Sequence, residues 1–528
     1  MTHRRLILVA GIIAAAVAIA WWMRFGTDDA YISFVYARSL VEGHGLTWFG
    51  MHIEGYTNFL WVLWSALGLE VGADPLVWAW GASLVALAAT IVITYRIAAL
   101  RSAPIAGLAS IAVLATNFTF LAFGTSGLET MLQTALVAGV WFEVERMRRQ
   151  PPNLEQVIVL ATYASLALWT SLDSAPMLAV LAVVAAHRLA KTGASIRTWV
   201  AGVMPVLVLV GGWLLWKLSF YDNVLPNTFY VKAGTGSAAH GAWFVAQFLT
   251  AYMLWPLVAG IAVLAIVRRR VASALPLAIV AAQLAYVIAV GGDFMEFRFF
   301  VPILPPLAIA LAEFATTAAP RLPRVQLRVA ALIAFVAAFS LHHGATFEGV
   351  ADHSYDSVQQ LATFFGKVRA NDWSQLGSSL RVLGDTSATI SCNGAGAIAY
   401  NSGLPTVDQH GLNDAWIARH GSRAPEDDPR PGHQRYATYD DLKSRAVTFV
   451  LGSPTLVARG ALAAHANAEE VDHWLSHVVG WERPPSGTYE VVAAPVDDKV
   501  ELLMWYLTPD PDVGARIAGW DHLRLRLH

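Results

Sequence analysis

Asp28 and Asp29 stand side by side a few residues behind the first apolar stretch of the chain, 6–22. Carboxylates at a membrane face are costly to desolvate, so an adjacent pair there marks a candidate site of acid–base chemistry. One aspartate suffices to cap the helix expected over 30–41; the second then needs another reason. Far along the chain, Asp408, His410, Asn413 and Asp414 crowd one short loop, and His433 follows. Histidine with carboxylate could bind a divalent cation. The spacing is irregular, and hydrogen bonding at a surface is the plainer reading. The single cysteine, Cys392, excludes an internal disulfide framework and carries no zinc-ligand spacing.

The elements that must position these groups are membrane helices. Hydrophobic residues make up 56% of the 528-residue chain and charged residues 14%, with mean hydropathy +0.49. A soluble domain carries roughly 25% charged residues. Net charge is −2, which gives no long-range field for nucleic acid. Candidate spans are 6–23, 76–97, 104–123, 128–146, 155–171, 174–190, 199–218, 242–267, 272–291, 299–318 and 326–342, each near the ~17–25 residues a bilayer demands. The first reads as a retained signal-anchor helix, since no convincing small-residue cleavage site follows it. The apolar run 58–71 is marginal for spanning, and the charge pattern argues against it.

With 58–71 excluded, the basic clusters Arg4/Arg5, Arg96/Arg101, Arg146/Arg148/Arg149, Arg188/Lys191/Arg197, Arg268/Arg269/Arg270 and Arg321/Arg324/Arg328 all fall on one side. That side is cytoplasmic by the positive-inside rule. The other face collects Asp28, Asp29, Glu42, Glu54, Glu129, Asp173, Asp222, Asp293 and Glu296, with a few cations such as Arg38, Lys232 and Arg298. A reaction there has no cytosolic nucleotide donor and needs an activated substrate delivered within the membrane. Residues 1–342 therefore read as a membrane domain with an outer loop at 24–75. Residues 343–528 read as a soluble α/β domain on the outer side, with strands expected at 381–383, 447–451, 490–493 and 500–506 and helices near 357–368 and 468–478.

Several segments carry a family resemblance. TDDAYISFVYARSLVEGHGLTWFGMHIEGYTNFLW (27–61) resembles the first outer loop of bacterial GT-C glycosyltransferases that use polyprenyl-phosphate sugars. Among these it is similar to the terminal β-1,2-arabinofuranosyltransferases of the mycobacterial cell wall. YDNVLPNTFYVK (221–232), GGDFMEFRFFVPILPPL (291–307), GAGAIAYNSGLPTVDQHGLND (394–414) and RPGHQR (430–435) extend the resemblance in order along nearly the whole chain. It implies a multi-pass α-helical GT-C protein of about eleven spans with a C-terminal soluble α/β domain, in the bacterial inner (plasma) membrane, its active site and C-terminal domain on the periplasmic or extracellular side. The implied reaction moves a sugar, arabinofuranose first, from a polyprenyl phosphate to an acceptor hydroxyl on glycan, lipid or protein, with inversion.

The resemblance makes Asp28 or Asp29 the base, with Asp28 the first choice and its neighbour orienting the acceptor or binding a cation. Lys232 and Arg298 become candidate partners of the lipid phosphate. A snorkelling lysine and an Arg298 ion pair with Glu296 or Asp293 are the alternatives. Tyr221 and Asn227 flank a loop with Pro226 that either contacts the donor or forms a rigid turn. Glu54 and Asn58, four residues apart, are candidates for sugar hydroxyls, against capping by Thr57 or Asn58. Asp293, Glu296, His410 and His433 complete the substrate set; Asp293 could instead cap the following helix. The one cofactor to consider is a divalent cation, with Asp28, Asp29, His410 and His433 as its ligands. Relatives often carry an Arg-Pro-Asp-like run where this chain has Thr170-Ser171-Leu172-Asp173, without the cation. Competing readings are a hexosyltransferase such as a mannosyltransferase acting on protein or lipopolysaccharide, a lipid-linked sugar transporter, and a non-catalytic scaffold.

Overall fold

The structure is a computed structural model describing residues 3–232, 237–256, 259–260, 274–317, 324–346, 355–365, 372–425, 430–462 and 468–527. Its first two thirds are helices: α1 (His3–Trp22), α2 (Asp28–Val41), α3 (Phe59–Glu70), α4 (Pro75–Arg101), α5 (Pro104–Ala115), α6 (Phe118–Ala122), α7 (Thr130–Arg149), α8 (Leu154–Thr170), α9 (Ala175–Lys191), α10 (Ile196–Pro205), α11 (Gly212–Tyr221), α12 (Asn227–Lys232) and α13 (Ala238–Ala251), then Ala274–Val290, Leu304–Thr317 and Val325–Thr346. The chain is a multi-pass membrane protein with a C-terminal strand-containing domain. The later part of the 242–267 span, the Arg268–Arg270 cluster and Arg321 lie outside the described residues.

The predicted segments coincide with helices, but the lengths are less uniform than the apolar pattern suggests. Among the described residues six helices are long and apolar enough to cross a membrane: His3–Trp22, Pro75–Arg101, Leu172–Lys191, Ile196–Tyr221, Arg298–Thr316 and Val325–Thr346. Segment 104–123 breaks in two at Asn117, whose side chain leaves the helical ladder and caps α6 by accepting from the Phe120 N–H at 2.9 Å. Helix α7 has low mean hydropathy because it is enclosed by protein, with polar residues buried at both ends: Thr130 and Gln133 at its start, Glu143 and Glu145 near its finish. Pro205 has no N–H to give, and a π-turn over Val206–Gly211 follows it before α11 resumes. Helix α3 has 12 residues, about 18 Å of rise, too short to cross a bilayer.

The bundle has two chemically different ends. At one, the buried Arg101 guanidinium bridges Glu145 at 2.5 Å and Glu313 at 2.8 Å, tying together the ends of α4, α7 and Leu304–Thr317. At the other lie the starts of α2 and α7 and the turn before α9.

The C-terminal domain is a mixed sheet in the order β2-β1-β5-β8-β7-β9, with β6 also pairing β8. Strands β1 (Ile390–Cys392), β2 (Thr406–Asp408) and β5 (Phe449–Gly452) run parallel, while β6 (Leu456–Ala458), β7 (Gly487–Pro495), β8 (Val500–Tyr506) and β9 (Asp521–Leu527) join antiparallel. A small separate ribbon pairs β3 (Ser422–Arg423) with β4 (Arg435–Tyr436). Separate apolar clusters contain Ile390 and Met504 in one, Val450 and Trp505 in the other. The strands expected at 447–451, 490–493 and 500–506 are present. The one expected at 381–383 is a 3-10 turn, Leu380–Leu383. Leu380 and Leu383, three residues apart, both enter the core, which suits three residues per turn rather than a strand.

Candidate active site

A cavity of about 1070 Å³ opens where the two domains meet. Ligands of parallel α/β sheets bind beyond the carboxyl ends of the strands, and the three parallel strands here point those ends at the cavity. Asn393 and Gly394 follow β1, His410 and Leu412 follow β2, and Ser453 and Pro454 follow β5; all six line it. The membrane domain contributes Asp28, Asp29, Asn58, Glu129, Lys232 and Arg298 to the same walls.

Helix α2 begins at Asp28 itself, so both aspartates sit in its first turn, where the helix dipole favours negative charge. Asp28 does cap a helix, but not its own. Its two oxygens accept the backbone N–H groups of Gly396 (2.8 Å) and Ala397 (2.7 Å), at the start of the helix Ala397–Ser402 in the C-terminal domain. Only glycine fits at 396, since a Cβ there would fall 1.9 Å from the Asp28 carbonyl oxygen. Burial pushes the Asp28 carboxyl up to about 7 against the pull of those two N–H groups, and the charges of Asp29 and Asp408 add to the rise. Burial likewise raises Asp29, opposed by Arg298 and Lys232. Asp29 keeps 30% of its side chain accessible, and its Oδ2 lies 3.7 Å from the Arg298 Nη1.

Arg298 is held rigidly. Asp293, fully buried, takes its Nε at 2.7 Å and Nη2 at 3.0 Å, and also accepts the Phe294 N–H at 2.9 Å. The ion pair anticipated for Arg298 is thus made with Asp293, which orients the guanidinium rather than lining the cavity. Lys232 does line it. Burial lowers its ammonium pKa, offset by the nearby charges of Asp293, Asp29 and Asp173. Asn58 also lines the cavity, donating to Glu129 at 2.6 Å and accepting from the Ser33 hydroxyl at 3.1 Å.

His410 and His433 reach the cavity as an edge-to-face pair 4.6 Å apart. His410 Nδ1 lies 3.0 Å from the Arg435 carbonyl. His433 sits edge-on to Phe294, and burial, followed by the charges of His410 and Arg430, pushes its pKa well below the usual value, leaving a neutral ring. Among the described residues no group of three or more His, Cys, Asp or Glu side chains is arranged to hold a metal. Asp28, Asp29, His410 and His433 line one cavity without forming a ligand set.

Four expected site residues lie behind the cavity walls. Glu54 forms a buried ion pair with Lys217 at 2.7 Å, because an acid enclosed beside the lipid-facing α11 needs its own cation. Glu296 binds His343 at 2.6 Å and the Val358 N–H at 2.8 Å, fixing the segment that follows the membrane helices. The Tyr221 hydroxyl donates to the Leu46 carbonyl at 2.7 Å. The Asn227 amide donates to the carbonyls of Gly411 (2.7 Å) and Leu412 (3.0 Å), which ties α12 to the loop after β2. All four brace the elements around the cavity, and none of them lines it.

The sequence pattern singled out neither Gln133 nor the Arg430–Asp356 ion pair, both of which line the cavity. Glu129 was visible only as an outer-face acid, and Asp173 also as the last residue of the run 170–173. Their signal was position, at the mouth of a span; no local motif links Arg430 to Asp356 across the chain.

Residues 363–501 match a family model described as a domain of unknown function, DUF8728. A search of curated proteins finds no match. Among solved structures, ArnT from Cupriavidus metallidurans bound to undecaprenyl phosphate is similar over 96% of this chain and 98% of that one, at 10% identity and a TM-score of 0.57. ArnT in the apo state gives 94% and 97% coverage, 12% identity and a TM-score of 0.58. The apo Archaeoglobus fulgidus oligosaccharyltransferase covers 93% of this chain and 73% of its own, at 11% identity and a TM-score of 0.53. The chain has the GT-C fold. The coverage includes both domains, so the placement of the strand-containing domain on the membrane helices belongs to that fold as a whole.

Proposed function

We propose that the chain is a membrane glycosyltransferase that moves a sugar from a polyprenyl phosphate to an acceptor hydroxyl, with Asp29 as the general base. The observation that carries this reading is the unequal setting of the two aspartates. Asp28 has both oxygens committed to Gly396 and Ala397, whereas Asp29 faces the cavity beside Arg298 and Lys232. This moves the base from Asp28, the first choice on sequence, to Asp29. A carboxylate raised above its usual range is a stronger base, and a base near the working pH is the more effective one.

In the proposed step, Asp29 takes the proton of the acceptor hydroxyl as that oxygen bonds to the anomeric carbon. The bond from that carbon to the phosphate oxygen breaks, and the lipid phosphate departs with the electron pair toward Lys232 and Arg298. One displacement inverts the anomeric centre. The shared fold with ArnT bound to undecaprenyl phosphate supports a lipid-phosphate donor. The site and the C-terminal domain belong on the extracytoplasmic side of a plasma membrane, opposite the basic end of the bundle. Arabinofuranose is the proposed sugar, from the motif resemblance.

The test is transfer by purified protein from radiolabelled decaprenyl-phosphoryl-arabinose, beside the corresponding mannose lipid. Label on an acceptor from the arabinose donor supports the whole reading. Label from mannose alone keeps the reaction and discards the sugar, making the protein a hexosyltransferase acting on protein or lipopolysaccharide. Silence with every lipid donor, together with uptake of lipid-linked sugar into vesicles, would replace the enzyme by a transporter.

A further inference from the structure

Glu129, Gln133 and Asp173 line one corner of the cavity and take no part in the proposed proton transfer or phosphate departure. Glu129 and Gln133 lie four residues apart at the start of α7, so they share a face. Asp173 comes from the turn before α9. The Gln133 amide donates to Asp173 Oδ1 at 2.6 Å and to the Ser174 hydroxyl at 3.1 Å, and the Asn58 amide donates to Glu129 Oε2 at 2.6 Å. Each carboxylate is therefore aimed by an amide.

Neither acid is explained by the fold. Glu129 occupies the cap position of α7 but makes no side-chain cap bond. Among the described residues neither Glu129 nor Asp173 has a cation within ion-pair distance, and the run Thr170–Asp173 brings none. Gln133 is 3% and Glu129 8% exposed. Enclosing carboxylates without cationic partners costs stability. Tyr286 and Phe299, with rings 6.5 Å apart, also line the cavity. Oriented carboxylates and an amide beside aromatic walls form a site that accepts hydrogen bonds from hydroxyls while covering an apolar face.

We propose that this corner recognises the sugar of the donor, with Glu129 and Asp173 accepting from its hydroxyls, and that it selects neutral hydroxylated sugars over uronic acids. The inference rests on the glycosyltransferase reading and adds the residues that set donor choice. A uronic carboxylate would meet two carboxylates that have no cation within ion-pair distance among the described residues and be repelled, whereas each sugar hydroxyl adds a hydrogen bond to those given by Asn58 and Gln133.

The test is competitive binding to the full-length protein, with sugar-free polyprenyl phosphate as the reference, followed by turnover of the same donors. Loss of a contacted hydroxyl, in a monodeoxy donor, should weaken binding roughly 10- to 100-fold. Asp173→Asn or Glu129→Gln should flatten that discrimination at one hydroxyl while leaving affinity for sugar-free polyprenyl phosphate unchanged. The unmodified protein with deoxy donors gives the same readout should a variant fail to fold. Equal weakening of every ligand, sugar-free lipid included, would assign the corner a structural role and overturn the proposal. Preference for a uronic sugar would overturn it too. Discrimination in binding without any transfer would sink the transferase reading and leave the subsite, whereas no binding of any lipid phosphate would sink both.

Discussion

Gly396→Ala should disable the protein without unfolding it. The added Cβ would lie 1.9 Å from the Asp28 carbonyl oxygen and 2.8 Å from its carbon, both backbone atoms that cannot swing aside. Ordinary contact begins near 3.4 Å, so the loop after β1 must retreat by about 1.5 Å. The hydrogen bonds from Gly396 and Ala397 to Asp28, now 2.8 and 2.7 Å, then stretch beyond bonding distance. Bonds to a charged acceptor contribute about 1.5–3 kcal/mol each, so the local junction loses roughly 3–6 kcal/mol. The domain itself stays docked, because Trp48 donates to the Thr406 carbonyl at 2.8 Å, Arg38 to the Tyr400 carbonyl at 2.7 Å and Asn227 to the loop after β2. A shift of about 1 Å in a reacting group costs on the order of 100-fold in rate. Transfer from the lipid-linked donor should therefore fall at least that far, with thermal unfolding of the membrane domain little changed. Gly519→Ala, where nothing lies within 4 Å of the new Cβ, is the control and should match wild type. A Gly396→Ala protein with the wild-type rate would refute the idea that this loop sets the geometry of α2.

Lys217→Met leaves Glu54 buried without its cation and should cost about 3–5 kcal/mol. The double variant with Glu54→Gln should recover most of that loss in thermal unfolding. The rate should depend on pH through Asp29, whose carboxyl burial lifts above the ordinary range. The base must be ionised, so log kcat falls as pH drops through that raised value. His433→Gln should keep the limb where it is, His433 being held neutral by burial. Asp28→Asn should keep the limb but move it to lower pH, because a neighbouring negative charge is removed; a limb that vanishes in Asp28→Asn would make Asp28 the base. Lys232→Met should lower kcat/KM for the lipid donor by roughly 100- to 1000-fold, as loss of a charge stabiliser does, and an unchanged value would remove Lys232 from the phosphate site.

The membrane helices, the C-terminal domain and most of its long strands were legible because each rests on a local pattern: apolar runs of spanning length, or alternating runs between glycine, proline and aspartate. The short strands β1 and β2 have three residues each, too few for any periodicity, yet their ends carry the loops that complete the cavity. The candidate site was legible where charge stood out against an apolar surrounding, as for Asp28, Asp29, Lys232 and Arg298. Glu54, Glu296 and Asp293 stood out for the same reason but face Lys217, His343 and Arg298 instead of the cavity. Which acid meets a partner and which meets a ligand depends on contacts between residues far apart in sequence. The division of labour between Asp28 and Asp29 is of that kind, set by an N–H pair nearly 370 positions downstream.

Single-turnover transfer in Asp29→Asn and Asp28→Asn, each measured with its affinity for polyprenyl phosphate, decides most directly which aspartate is the base. Asp29→Asn should bind the lipid normally and lose at least about 1000-fold in rate, within the range for removing a general base, while Asp28→Asn retains measurable transfer. Wild-type transfer by Asp29→Asn, with the loss falling on Asp28→Asn alone, would contradict the assignment of Asp29.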